Sequence, residues 1–204
     1  MDNKEIVSLI YVELSQFPFL RKRNYEKGEI ITNYISNRNY VYFLLSGSAN
    51  LIRNTRHGQE ELLEKYEQYD FFGDMFHNIT LNNEMSVISK SKCSVFSFDF
   101  EQLKDNPDFY HVNQLLFELT TNKLRTMNLH TEVLSGKTTR DKLLTYFNIK
   151  TRNRINKIFE LDMSYKELAA YLNVDRAAMM REINMLIQDR MIKKNKRVIE
   201  LLIY

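Results

Sequence analysis

The stretch that decides the fold runs from Ser164 to Arg190, SYKELAAYLNVDRAAMMREINMLIQDR. It reads as two short helices joined by a tight turn. Ser164, followed three residues later by Glu167, fits a capping box, in which hydroxyl and carboxylate satisfy free amides at a helix start. Leu168, Ala169 and Leu172 give the first helix its apolar face. Asn173 falls where the chain must turn sharply, and asparagine tolerates positive φ better than most residues. Asp175 caps a second helix, whose Met179, Ile183 and Leu186 recur at i, i+4 and i+7 and so point inward. Arg176, Ala177, Met180, Arg181 and Asn184 are left facing broadly outward. A cation in the first turn of a helix opposes the helix dipole unless an anion lies beyond it. A DNA backbone supplies that anion.

The next segment, Met191–Ile203 (MIKKNKRVIELLI), has two apolar ends around Lys193, Lys194, Lys196 and Arg197. With Asn195 at the turn it reads as a small β-hairpin with a cationic tip. Such a tip is suited to phosphates beside the groove that a neighbouring helix enters. Charge follows the same division. Residues 1–105 carry 12 Lys+Arg against 15 Asp+Glu, whereas residues 138–204 carry 14 against eight. Excess positive charge gathered in the last third is the footprint of a nucleic-acid-binding module.

These residues resemble the DNA-binding domain of the Crp/Fnr family of bacterial transcription regulators. The resemblance rests on Leu168-Ala169, Leu172, Val174, Asp175-Arg176, Met179, Arg181, Ile183, Leu186 and Met191-Ile192. It implies that Ser164, Asp175, Arg176, Ala177, Met180 and Arg181, with Lys193, Lys194, Lys196 and Arg197 of the wing, form the DNA-binding surface. Ala177 stands where the family commonly has Glu, so the operator is expected to differ from the usual half-site at one base pair.

Upstream, residues from about 24 to 99 alternate short runs rich in Ile, Val, Tyr and Phe with turn residues, as in an antiparallel β sandwich or barrel. The expected strands are Glu29–Tyr34, Tyr40–Leu45, Ser48–Arg53, Glu61–Tyr66, Ser86–Lys90 and Cys93–Asp99. Lys27-Gly28, Tyr42–Gly47 (YFLLSG), Gly58 and Phe71-Phe72-Gly73-Asp74 resemble the cyclic-nucleotide-binding jelly roll, the sensor half of the same family. A short helix is expected over residues 2–14, with Ile6, Leu9, Ile10 and Leu14 inward. Asn106-Pro107-Asp108 opens a long helix, with Phe109, Val112, Leu116 and Leu119 as its first apolar stripe and Met127, Val133 and Leu134 continuing it. In the family this helix pairs with its twin. Ser135–Thr139, with Gly136, reads as a hinge, and Arg140–Ile149 as a further helix with Leu143, Leu144 and Phe147 inward.

The fold class expected is α+β: an N-terminal antiparallel β jelly roll over residues 1–105, a dimerisation helix and hinge over 106–135, and a winged helix-turn-helix over 136–204. The function implied is that of a sequence-specific, homodimeric transcription regulator, an activator by the commoner habit of the family, acting on an inverted-repeat operator. Its partners would be double-stranded DNA, a second copy and RNA polymerase, with no membrane. An effector pocket would take in Phe72, Gly73, Asp74, Asn83 and Glu84. Cyclic-AMP-binding relatives have Gly-Glu and then Arg-Ser or Arg-Thr there. Gly73-Asp74 shortens the first carboxylate, and Asn83-Glu84 lacks the arginine that would pair with a phosphate. Cyclic AMP is therefore disfavoured.

No cofactor is expected. A single cysteine, Cys93, argues against an iron–sulfur cluster and reads as a small buried hydrophobe. His57, His77, His111 and His130 are scattered, which disfavours haem, any metal centre and a cupin-type enzyme. Methionine–aspartate at the start leads into no apolar signal core, and a lone cysteine fits a reducing compartment, so the expected location is cytoplasmic. The alternatives are an effector-independent regulator and an interaction module that has lost specific DNA reading.

Overall fold

The computed structural model describes residues 1–33, 39–54, 60–73, 84–104, 106–152 and 154–202. They form two compact units, Met1–Asn122 and Lys123–Tyr204. In the first unit, helix α1 (Asn3–Leu14) precedes eight strands: β1 (Arg21–Tyr25), β2 (Ile30–Asn33), β3 (Tyr40–Ser46), β4 (Ala49–Asn54), β5 (Glu60–Tyr66), β6 (Phe71–Gly73), β7 (Glu84–Ser89) and β8 (Cys93–Asp99). They make two antiparallel sheets, in the orders β1-β8-β3-β6 and β2-β7-β4-β5.

The apolar run of β3 is explained by burial on both faces. Val41 and Phe43 join Phe96, Phe98 and Phe71 in a core shared with Ile6, Val7, Ile10 and Leu14 of α1. Phe43 stacks on Phe96, with ring centroids 4.7 Å apart. Tyr42 and Leu44, one residue out of phase, join Leu51, Tyr66, Phe72, Met85 and Val87 in the core between the sheets. Cys93 lies in that core too, its thiol 3.1 Å from the Ser48 carbonyl. Gly47 sits at φ +86° beside it, and a Cβ there would meet the Lys92 carbonyl oxygen at 2.3 Å.

Helix α2 (Tyr110–Leu134) follows a single 3-10 turn, Pro107–Phe109, that Asn106 caps through a 3.0 Å bond from the Asp108 amide. Its inner face in the first unit is Phe109, Val112, Leu115 and Leu119. Leu115 takes the buried place expected of Leu116, which is half-buried; on α1, Val7 likewise takes the place of Leu9. Spacings of three and four residues allow either choice, and the facing aromatic rings decide it.

The second unit holds the end of α2, then α3 (Thr139–Thr151), β9 (Ile158–Glu160), α4 (Tyr165–Tyr171), α5 (Arg176–Gln188), β10 (Ile192–Asn195) and β11 (Val198–Leu201). The strands form one antiparallel sheet, β10-β11-β9. Its core joins Val133, Leu143, Tyr146 and Phe147 to Phe159, Leu168, Leu172, Met179, Ile183, Leu186, Ile192 and Ile199. The hairpin turns at Lys196-Arg197, with Lys196 at φ 52°, and not at Asn195, which pairs with Val198. Pairing of Ile192 with Leu201 and of Lys194 with Ile199 sets that register, overriding the turn preference of asparagine.

Candidate nucleic-acid interface

The α4–α5 pair is positioned by its caps and by two side chains from behind. Ser164 accepts from the Glu167 amide and Glu167 returns a bond to the Ser164 amide at 2.8 Å, the reciprocal box expected. Asp175 accepts from the Ala178 amide at 2.8 Å. Between them Asn173 adopts φ 50°. The last carbonyls of a helix have no partner within it. Here His130 Nε2 donates to the Tyr171 carbonyl at 2.8 Å, and the Lys142 ammonium donates to that of Leu172 at 3.1 Å. His130 also stacks on the Tyr171 ring at 4.1 Å. Neither role shows in the sequence, because both partners are backbone atoms more than 29 residues away.

Helix α5 is held from its far end by Arg140 of α3. The guanidinium lies 3.6 Å from the Glu182 carboxylate and donates to that of Asp189. The hydrogen bond to Asp189 raises the Arg140 pKa further above its ordinary value. On the same helix Met179, Ile183 and Leu186 are buried. Arg176, Ala177, Arg181 and Asn184 are exposed on the other side. Met180 is half-buried and packs on the core, so it is less outward than its place in the sequence suggests. Arg176 and Arg181 take no ion pair among the described residues.

The acidic groups of this unit are largely committed elsewhere. Besides Glu182 and Asp189, Glu167 and Asp175 serve as caps, Glu200 faces Lys193 across the hairpin at 3.6 Å, and Asp162 binds Lys150 at 2.7 Å. Burial works to raise the Asp162 carboxyl, but the Lys150 hydrogen bond and charge, with a bond from Tyr146, outweigh it and hold it below its ordinary 3.8. Burial, and then the Asp162 charge, push the Tyr146 hydroxyl well up.

A carboxyl whose folded pKa is depressed adds stability above its unfolded pKa and loses it as pH falls through the folded value. Thermal melts between pH 6 and pH 3 should therefore show the Lys150–Asp162 contribution disappearing below pH 3.8. Lys150→Met should remove that part of the acid dependence. Because the pair is largely exposed, its share is below about 1 kcal/mol. An identical acid profile in both proteins would contradict the pair's role.

The four wing cations are not alike. Lys196 extends from the turn with no partner among the described residues, while its carbonyl accepts from the Tyr165 hydroxyl at 2.8 Å. Lys194 lies over the Tyr165 ring at 5.3 Å. Lys193 faces Glu200. The Arg197 guanidinium is drawn back onto the Leu161 carbonyl, with its Nε at 3.0 Å.

Of the effector candidates, Phe72 and Gly73 lie on β6. Phe72 is buried between the Tyr42 and Tyr66 rings, at 5.4 and 4.8 Å. A Cβ on Gly73 would meet the Tyr40 carbonyl oxygen at 2.4 Å. Glu84 opens β7, whereas Asp74 and Asn83, like His57 and His77, lie outside the described residues. His111 meets Glu13 at 2.6 Å. Among the described residues no group of His, Cys, Asp and Glu could hold a metal ion, and no helix is long and apolar enough to cross a membrane.

Residues 22–105 match the family model of the cyclic nucleotide-binding domain. No curated protein matches the chain. Solved structures do match its fold. CprK complexed with OCPA is 16% identical with a TM-score of 0.63, over 93% of this chain and 90% of that one. A cyclic nucleotide-binding domain containing protein of Listeria monocytogenes is 14% identical with a TM-score of 0.60, over 96% and 97%. The c-di-GMP responsive global regulator CLP of Xanthomonas campestris is 17% identical with a TM-score of 0.53, over 95% and 99%. The chain is thus of the Crp/Fnr type in fold, with a cyclic nucleotide-binding domain at residues 22–105.

Proposed function

We propose that this protein is a homodimeric, sequence-specific DNA-binding transcription regulator, not an enzyme. In this reading residues 136–204 are a winged helix-turn-helix, 106–135 a dimerisation helix and hinge, and 1–105 a sensor. The observation that carries it is the exposed face of α5. Arg176, Ala177, Arg181 and Asn184 share it, opposite a buried Met179, Ile183 and Leu186, in a unit whose carboxylates are mostly engaged by its own cations and caps.

Helix α5 lies in the major groove. There an arginine can donate two hydrogen bonds to guanine O6 and N7. Ala177 packs on a thymine methyl where a glutamate would have accepted from cytosine. Ser164 and Asp175, at the two caps, and Met180 border the same groove. Lys193, Lys194 and Lys196 meet phosphates. Arg197 does so after leaving the Leu161 carbonyl, or else it braces the wing. Two-fold symmetry asks for an inverted repeat with half-sites about 10–10.5 bp apart. The jelly roll takes an effector of unassigned identity near Phe72, Gly73, Asp74, Asn83 and Glu84, and the regulator meets RNA polymerase in the cytoplasm. CLP, a global regulator that links cell-cell signaling to virulence gene expression, supports the class.

The test is a fluorescence titration against a library of inverted repeats at fixed salt, with and without cyclic AMP, repeated with Arg181→Ala. The wild type should select a symmetric site without the nucleotide. Arg181→Ala should cost roughly 1–3 kcal/mol on that site and leave random DNA unchanged. Equal losses on both would make Arg181 a phosphate contact, and no selection in either condition would sink the reading.

A further inference from the structure

A cavity of about 350 Å³ opens in the first unit where the helix-facing side of β3 meets α2. Its walls are Val41, Phe100, Leu116 and Phe117, and its polar groups are Lys104, Asn113 and Thr120. Mostly apolar walls with a few convergent polar groups, at this volume, are the usual make-up of a small-molecule site. It lies apart from the effector candidates on β6 and β7. Val41 belongs to the core under the helices, whereas Phe72 and Val87 face the core between the sheets.

Two observations indicate what it takes. The amide of Asn113 donates to the Leu103 carbonyl at 3.2 Å, but its Oδ1 is buried with no hydrogen-bond partner. Buried acceptors are nearly always satisfied, so a ligand donor is wanted there. At the rim, the Lys104 ammonium has only Glu101 beside it, at 3.8 Å, and both are about half exposed. An anion that accepts hydrogen bonds directly from the ammonium competes well with so loose a pair.

We propose that this cavity binds a small acid with an apolar body and a hydroxyl near its head. The body lies on Val41, Phe100, Leu116 and Phe117, the carboxylate meets Lys104, and the hydroxyl donates to Asn113 Oδ1. The proposal stands apart from DNA binding.

The experiment is a ligand-observed NMR titration of the full chain with 2-hydroxyoctanoate, octanoate and octylamine, below their micelle concentrations. One saturable site is expected for the hydroxy acid, with octanoate weaker and octylamine unbound. Lys104→Met should weaken the acids about tenfold, as loss of a charge-assisted hydrogen bond does. Lys104→Arg should restore them, and Glu101→Gln should tighten them. Lys104 is exposed, so these variants leave the fold intact. Equal binding of octylamine, or acids indifferent to Lys104→Met, would reduce the cavity to a non-specific apolar patch. Phe117 and Thr120 also lie on the outer side of α2. If the dimer, resolved by sedimentation, binds no acid, a second copy fills the cavity and the proposal falls.

Discussion

Replacing Leu124 and Met127 together by glutamate is expected to leave a folded monomer that no longer selects an inverted repeat. Both side chains are 56% exposed on α2, as are Phe117 at 74% and Tyr110 at 67%. Residues 110, 117 and 124 stand seven apart, and 127 and 134 continue the stripe at coiled-coil spacing. The inner face, Phe109, Val112, Leu115 and Leu119, is already occupied. A second apolar stripe left in water along one helix is the feature that a paired copy would cover. Glutamate is a good helix former at an exposed position, so the lone chain should melt within a few degrees of wild type. In a paired seam the same change would bury two carboxylates from each copy against apolar neighbours. Sedimentation equilibrium should then show a monomer. Operator affinity should fall at least about a hundredfold, because linking two reading heads supplies a gain of that order. A variant that stays dimeric and keeps its operator would remove α2 as the interface.

How much of the fold is legible in the chain follows from how local each signal is. The face of α5 is legible because three apolar residues repeat within one helix and both caps lie within three residues of their acceptors. Strand β1 is not. Arg21-Lys22-Arg23 reads as a solvated loop, yet these cations lie over Tyr40, Tyr11 and Tyr25 at 5.5, 5.0 and 4.8 Å, on a strand at a sheet edge where charge is tolerated. Strand β9 is three residues long and exists because β11 pairs with it. Strand β6 is equally short and depends on β3.

At the candidate interface the same rule holds. Arg176 and Arg181 stand out by spacing alone. The residues that fix their helix, Arg140, Lys142 and His130, act across long separations in sequence and carry no local pattern. The wing illustrates the limit differently. Four cations in five residues suggest one function, but Glu200 and the Leu161 carbonyl, each brought up by strand pairing, give Lys193 and Arg197 contacts that Lys196 does not have.

Phe147→Ala is expected to unfold the second unit at temperatures that the first unit survives. Phe147 is fully buried, with Tyr146 and Phe159 rings at 6.0 and 5.7 Å, and it lies in the same core as Ile183 and Leu186 of α5. Truncating a buried phenylalanine costs about 3–5 kcal/mol, part from lost transfer energy and part from the cavity left behind. The unit spans residues 123–204 and has a core made of its own side chains. For a domain of that size each kcal/mol moves the melting point by roughly 4–8 °C. Calorimetry should therefore show one transition moved down by more than about 10 °C, while the transition of the β-sheet unit stays in place. DNA selection should vanish with the shifted transition, since the exposed face of α5 is held by the core behind it. Two transitions moving together would mean that the units melt as one, and a small shift would mean that the surrounding rings close over the gap.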